Sequence, residues 1–236
     1  HIQGQFVAAE IAGEAVAIAP SGGVLRMSDG AVLWEGLPQS MHMIPSPVMD
    51  GNTCYQLMGK NTSKKAGSIV DKKSLFPNFH RISLPQTVSD PLDVQVDALT
   101  VDSRAFPADY VYFHMSSPIV HEGLAYLLNN AGVLTVVDVE RMEIVYQKYL
   151  DLDQSTGWGE GAGRGIGISP VLAGDRLFVF GSTGSCLVLK PGRTYEQVAK
   201  NRIEHTLHRA GNNRNERFVA CPIFDGDRAY IRGEAN

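Results

Sequence analysis

The sequence is poor in the features that usually announce a chemistry. Cysteine occurs three times in 236 residues, as Cys54, Cys186 and Cys221. The three are far apart and form no Cys-x-x-Cys or Cys/His spacing, so neither a zinc site nor a disulfide framework is expected. So sparse and odd a count leaves the redox compartment open, and the plain reading is three small, half-buried thiols. Positive charge is also short. Lysine and arginine total 21 against 25 acidic residues, a net charge of −4, and nothing here draws the chain to a phosphate backbone. Nucleic acid is therefore not expected as a partner. No apolar run reaches the roughly 18 residues a membrane-spanning helix needs. There is no Gly-x-Ser-x-Gly nucleophile elbow and no His-Glu-x-x-His. The chain opens at His1 without a basic-then-apolar leader, as expected where a signal peptide has been removed or lies outside this sequence.

What is present is repetition. The apolar fraction of 44% is that of an ordinary globular chain, long enough for one large all-β domain or two smaller ones. Within it, "SPIVHEGLAYLLNNAG" from Ser117 returns as "SPVLAGDRLFVFGSTG" from Ser169 and "CPIFDGDRAYIRGEAN" from Cys221, at intervals of 52 residues. "SPVMDGNTCYQLMG" from Ser46 precedes Ser117 by 71, an excess that predicts an inserted loop over about 58–80. "AAEIAGEAVAIAPSGG" from Ala8 is the first copy. In each unit a turn glycine (Gly13, Gly51, Gly123, Gly174, Gly226) supplies the backbone freedom of a tight hairpin. A strand apolar on both faces follows, such as Leu124–Leu128, which belongs between layers and not on a surface. A second turn, a third strand and a more polar fourth strand complete the unit. Four strands per 40–50 residues predict an all-β chain, a β-propeller of four-stranded antiparallel blades. A pair of β-sandwiches is the main competitor. The expected blades cover residues 8–35, 46–84, 117–150 and 169–203, and 221–236 adds two strands of a partial fifth. An open ring would expose unpaired edges and an apolar blade face. Residues 1–236 are therefore expected to form a single, incomplete propeller domain, part of a larger ring continued by further sequence or by another chain.

The stretch "SPIVHEGLAYLLNNAGVLTVVDVERMEIVY" resembles the repeat of the pyrroloquinoline-quinone-like (quinoprotein alcohol dehydrogenase-like) β-propellers, with their Ser-Pro strand, Gly turn and "xLxALDxxTGxxxW" tail. "GGVLRMSDGAVLWEGL" matches that tail best, through Gly30 and Trp34. At 138–146 the Asp is kept while Met142 and Tyr146 replace the Gly and Trp, and Lys190-Pro191-Gly192 departs further. The resemblance covers most of the chain and implies an architecture, not an activity.

Chemistry is best sought in the linkers that enter each innermost strand, because these border one mouth of a propeller's central channel. "DLDQSTGWGEGAGRGIGISP" at 151–170 has six glycines between 157 and 167 and would offer Trp158 as a stacking plane, Glu160 as a carboxylate and Arg164 as a cation. It has no phosphate-loop spacing and runs into a strand. Asp151, Asp153 and Ser155 alternate like a calcium loop, but the glycine falls one place late and Ala162 stands where the closing glutamate belongs. A plain glycine-rich connection is the alternative. The other linkers contribute Tyr112, His114 and Ser116, then Arg214, Glu216 and Arg217, with His42 in the first. The expected ligand-binding set is Trp158, Glu160, Arg164, His114, Tyr112 and Arg217, which suits a polar or anionic ligand. Each of these residues also has a simpler reading, as a structural hydrogen-bonder. No catalytic residue and no metal ligand is assigned, and His205 with His208 sits where a strand or linker is expected. The insertion's lysines (Lys60, Lys64, Lys65, Lys72, Lys73) read as a solvated loop or a partner-docking patch. Asn61-Thr62-Ser63 fits a glycosylation sequon.

The resemblance implies two classes of function. Quinoprotein dehydrogenases hold pyrroloquinoline quinone and calcium in the funnel with a catalytic Asp, a stacking Trp and, in many, a disulfide of adjacent cysteines. This chain has no adjacent cysteines, and Trp34 lies in an outer-strand motif, leaving Trp158 for stacking. Non-catalytic members, such as the outer-membrane assembly lipoprotein of the barrel-insertion machinery, use the propeller as a rigid platform. The expected function is a periplasmic or secreted binding scaffold for a protein partner or a small polar ligand, without a cofactor. A quinone- and calcium-dependent alcohol or sugar dehydrogenase is the alternative.

Overall fold

The structure, a computed structural model, describes residues 4–37, 44–58, 77–101, 114–153, 166–203, 206–209, 212–215, 218 and 220–233, with backbone alone at 206–209 and 212–215. No helix occurs among them. The first blade is β1 (Val7–Ile11), β2 (Glu14–Ile18), β3 (Val24–Arg26) and β4 (Val32–Trp34), hydrogen-bonded in that order. The second is β5 (Val48–Asp50), β6 (Thr53–Leu57), β7 (Phe79–Ser83) and β8 (Gln95–Leu99). β9 (Ile119–His121), β10 (Leu124–Leu128), β11 (Val133–Asp138) and β12 (Glu143–Tyr149) form the third. β13 (Val171–Ala173), β14 (Arg176–Phe180), β15 (Ser185–Lys190) and β16 (Glu196–Arg202) form the fourth. A linker hairpin, β17 (Thr206–Arg209) with β18 (Asn212–Asn215), precedes a last hairpin, β19 (Ile223–Asp225) with β20 (Arg228–Tyr230). Every named pairing is antiparallel, and β1 touches β5 as β5 touches β9. The first strand of each blade therefore lies innermost, and the fold is a β-propeller.

The five turn glycines all sit in first-to-second-strand hairpins, but in two registers. Gly51, Gly174 and Gly226 occupy the first turn position with φ of 55°, 58° and 58°. In the first and third blades the glycine comes second, and Ala12 and Glu122 take the first position at φ 53° and 48°. Positive φ at both positions marks a type I′ turn and at the first alone a type II′ turn; both match the strand twist. One repeat thus tolerates a one-place shift of its glycine.

The core lies between blades. Val16, Ile18, Val24 and Leu33 pack with Cys54 and Ile82 of the second blade. Tyr55, Leu57 and Phe79 pack with Ala125, Leu127 and Val137 of the third. Tyr126, Leu128 and Leu134 pack with Leu177, Val179 and Leu187 of the fourth. Alternation along each middle strand sends one set of side chains to the next blade and the other to the preceding one. That arrangement is why these strands read as unbroken apolar runs.

The second blade differs from the sequence expectation. Its closing strand is not reached by residue 84: residues 84–94 fold back on the first blade, burying Leu84 and Leu92, and Leu92 N donates to Leu33 O at 2.8 Å. Only then does β8 form. β7 begins at Phe79, so the insertion expected over 58–80 overlaps that strand, and its residues 59–76, with Asn61 and the five lysines, lie outside the described residues.

Candidate functional site

Each blade-to-blade linker starts and finishes at the end that carries the second-to-third-strand hairpins. Leu37, Leu150 and Ile203 leave the outermost strands and donate their N–H groups to Ser21, Gly132 and Gly184 of those hairpins, each at 2.9 Å. Returning toward the axis, Ile166 N donates to Asn130 O at 2.8 Å and Phe218 N to Ser182 O at 2.9 Å. Asp153 is a third kind of anchor. It follows β12, yet it accepts hydrogen bonds from Ser185 N at 3.1 Å and from the hydroxyls of Ser185 and Thr183 in the fourth blade, with Arg202 at 3.7 Å. Burial works against its charge, but the bonds from Ser185 and Thr183 win and hold the carboxyl below the usual carboxylate range. The two described ends of this linker are thus anchored on different blades, Asp153 on the fourth and Ile166 on the third.

The Ser-Pro motif proves to be a latch between blades. Gln5 N donates to Ser46 Oγ at 2.9 Å, Ser46 N to Ser117 Oγ at 2.9 Å and Ser117 N to Ser169 Oγ at 2.8 Å. Ser46 and Ser117 therefore each accept from the blade before and donate to the blade after. Beside them Ser116 Oγ, fully buried, donates to Ile168 O at 2.9 Å. Proline follows each latch serine and is buried. It has no N–H to leave unpaired and holds φ in the range suited to starting an edge strand.

The innermost strands themselves present a mainly apolar wall, with Val48, Ile119 and Val171 half-buried at equivalent positions. Polar groups lie deeper. Gln56 and His80 face one another as β6–β7 partners, both buried, and Gln56 Oε1 and His80 Nδ1 have no hydrogen-bond partner. Asn129 Oδ1 caps Ala131 N and Val133 N, while its Nδ2 is also unpartnered.

Of the residues expected to bind a ligand, His114 alone is described. It is 5% exposed, and Ile166 and Phe218, both buried, occupy the same place 52 and 104 residues later. Burial pushes its imidazole down to about 4 against a hydrogen bond to the Leu128 backbone, and its Nδ1 is unpartnered. Its position is in the wall between linker and blade. Tyr112, Trp158, Glu160, Arg164 and Arg217, with His42, His205 and Glu216, lie outside the described residues, and Arg214 and His208 are described by backbone alone, in β18 and β17. Asp151 and Asp153, read together as a possible calcium loop, turn to different partners: Asp151 takes Lys200 at 2.5 Å and Asp153 takes Ser185. The anchoring roles of the latch serines and of Asp153 were not among the sequence expectations. The Ser-Pro recurrence was the available signal for the former; nothing local marked the latter.

No group of three or more His, Cys, Asp or Glu side chains that could hold a metal occurs among the described residues. Cys54 and Cys186 are buried in separate blades, their thiols pushed up by burial to about 12 and about 11, while Cys221 is exposed. No helix among the described residues is long and apolar enough to cross a membrane.

Comparison with known proteins supports the architecture. The chain is similar to BamB from Moraxella catarrhalis, with a TM-score of 0.51 and 12% identity over 96% of this chain and 66% of that one. It is also similar to the quinohemoprotein alcohol dehydrogenase ADHIIG from Pseudomonas putida, with a TM-score of 0.54 and 15% identity over 92% of this chain and 38% of that one. The shared property is the propeller. The chain thus spans just under two thirds of the first relative and well under half of the second. No family model matches the sequence, and no curated protein matches it.

Proposed function

We propose that this propeller is a non-catalytic binding scaffold, periplasmic or secreted, that takes a protein partner or a small polar or anionic ligand at its linker end. The observation that carries this reading is the set of anchors. The linkers that follow the third and fourth blades are tied at both ends to the same end of the blades, an arrangement suited to presenting loops. By sequence the linkers bring Trp158, Glu160 and Arg164, with Tyr112, His114 and Arg217, to that end. A stacking plane beside fixed cations suits an anionic group. The placement in the periplasm or outside the cell rests on the resemblance to pyrroloquinoline-quinone-like propellers.

A photo-crosslinking side chain placed at 158 or 164, in cells that make the protein, tests this. The expected result is a discrete adduct from both positions and none from Asp175, whose hairpin lies at the opposite end of the blades. Adducts from Asp175 alone would move the site to the other end. The dehydrogenase alternative makes a separate demand. Adding pyrroloquinoline quinone and calcium should then quench the fluorescence of Trp158, but not of Trp34, and support dye-linked alcohol oxidation. That result would replace the scaffold.

A further inference from the structure

The hairpin between second and third strands closes differently in the third and fourth blades. In both, the residue after the second strand donates across the turn, Asn129 N to Val133 O at 3.1 Å and Gly181 N to Ser185 O at 2.8 Å. The third blade then caps itself. Asn129 Oδ1 accepts from Ala131 N at 3.0 Å and from Val133 N at 2.8 Å. The first blade also draws on its own hairpin, where Ser21 Oγ accepts from Gly23 N at 3.4 Å. In the fourth blade Gly181 stands where Asn129 stands and has no side chain to offer. Asp153, from the linker that follows β12, supplies the cap instead. Its Oδ1 accepts from Ser185 N, the counterpart of Val133 N, and its main-chain oxygen accepts from Ser182 N, both at 3.1 Å. Its own N–H donates to Ser185 Oγ at 3.0 Å.

Glycine at 181 answers to space and not to conformation, since its φ lies outside the left-handed region. A Cβ added there would collide with Asp153 Oδ1 and Ser185 Oγ and lie 2.7 Å from Asp153 O. The hairpin is shaped around the aspartate. Its donors also select a carboxylate over an amide. Oδ1 takes the Ser185 amide and hydroxyl, while Oδ2 takes the Thr183 hydroxyl and faces Arg202 Nη1 at 3.7 Å. An amide has one acceptor oxygen and would turn its NH2 toward one of these donors, whereas a carboxylate accepts on both sides. Ser182 and Ser185 are only 4% and 2% exposed, so water is a poor substitute there.

We propose that the fourth-blade hairpin is a carboxylate-binding site whose ligand within the chain is Asp153, and that Asp153 thereby acts as a positioning residue for the linker-end site. The second half rests on the function proposed above; the first half stands without it. With the Asp153 side chain removed, the buried Ser185 N–H and its neighbours lose their acceptor, and a free carboxylate such as acetate takes the vacated place. Gly181→Asn fills that place in the manner of Asn129, which separates the closing of the hairpin from the tie to the linker.

The test is urea unfolding in sodium acetate against sodium chloride of equal ionic strength at neutral pH. Asp153→Ala should lower the midpoint, and acetate should restore part of the loss in proportion to the logarithm of its concentration. The parent protein and Asp151→Ala, whose lost carboxylate pairs with Lys200, should respond alike to the two salts. Adding Gly181→Asn to Asp153→Ala should recover the midpoint and abolish the acetate response. Asp153→Ser, a milder truncation, is read in the same way, so the result stands even where Asp153→Ala fails to fold. An acetate effect no larger than that on the parent, or one that survives Gly181→Asn, overturns the carboxylate site. The positioning role is read in the doubly changed protein, where a crosslinker at 158 should lose most of its adduct although the midpoint has returned. An undiminished adduct there overturns that role. No adduct from the parent overturns the proposed function and the positioning role with it, while the acetate result still decides the carboxylate site.

Discussion

Two histidines show what burial does to single residues here. His80 and His114 are pushed by desolvation to about 4, so the folded chain resists a proton that the unfolded chain accepts near 6.5. Their contribution is fully present above 6.5 and is lost as pH falls toward 4, by up to about 3 kcal/mol for each. Urea midpoints measured from pH 7 to pH 4 should fall steadily, and His114→Leu, which restores the apolar type of Ile166, should flatten the slope. A flat profile in the parent protein would rule this out. Met142 makes a second residue-scale case. It sits at φ 53° in the third-to-fourth-strand turn, where the first blade has Gly30 at φ 76°, and the left-handed conformation costs an L-residue about 1–2 kcal/mol. Met142→Gly should therefore raise the midpoint or leave it unchanged, the gain being reduced by the glycine's extra freedom when unfolded.

Among elements, the hairpins and linkers add polar ties between blades to the apolar packing of the strands. Ser117→Ala removes the acceptor of Ser46 N across the second and third blades and should cost about 1 kcal/mol by denaturant unfolding. The same change at Ser28, in an exposed turn of the first blade, should cost nothing measurable. Gly36 is the tightest point in the first blade. At φ 90°, a Cβ added there would lie 2.5 Å from Gly23 N and 2.8 Å from Ser21 O, both backbone atoms that cannot step aside. Gly36→Ala should cost about 3 kcal/mol, from strain and overpacking together.

At the scale of the molecule, stability is graded along the arc. The second, third and fourth blades contribute strands buried on both faces, whereas β19–β20 is covered only on the side that carries Phe224. Native-state hydrogen exchange on the 236-residue chain should find the slowest amides in β10, β11 and β15 and the fastest among paired strands in β19–β20. Uniform protection across all five units would contradict the graded picture.

The repeat, its 52-residue period, the turn glycines and the apolar middle strands were legible in the sequence, because each depends on neighbours a few residues away. The strand alternation of β10 or β14 is a local pattern, and so is the hairpin before it. The partners of Ser46, Asp153 and His114 were not legible. Ser46 bonds a residue 71 positions away and Asp153 one 32 away, and such pairs exist only once blades lie side by side. The close of the second blade was hidden for the same reason, since residues 84–94 settle against Leu33 of the first. Sequence by itself determined what each blade is, through short-range hydrogen bonding and side-chain alternation. Tertiary structure decided which polar groups became anchors, because only the packing of one blade on the next determines which groups lose water and what replaces it.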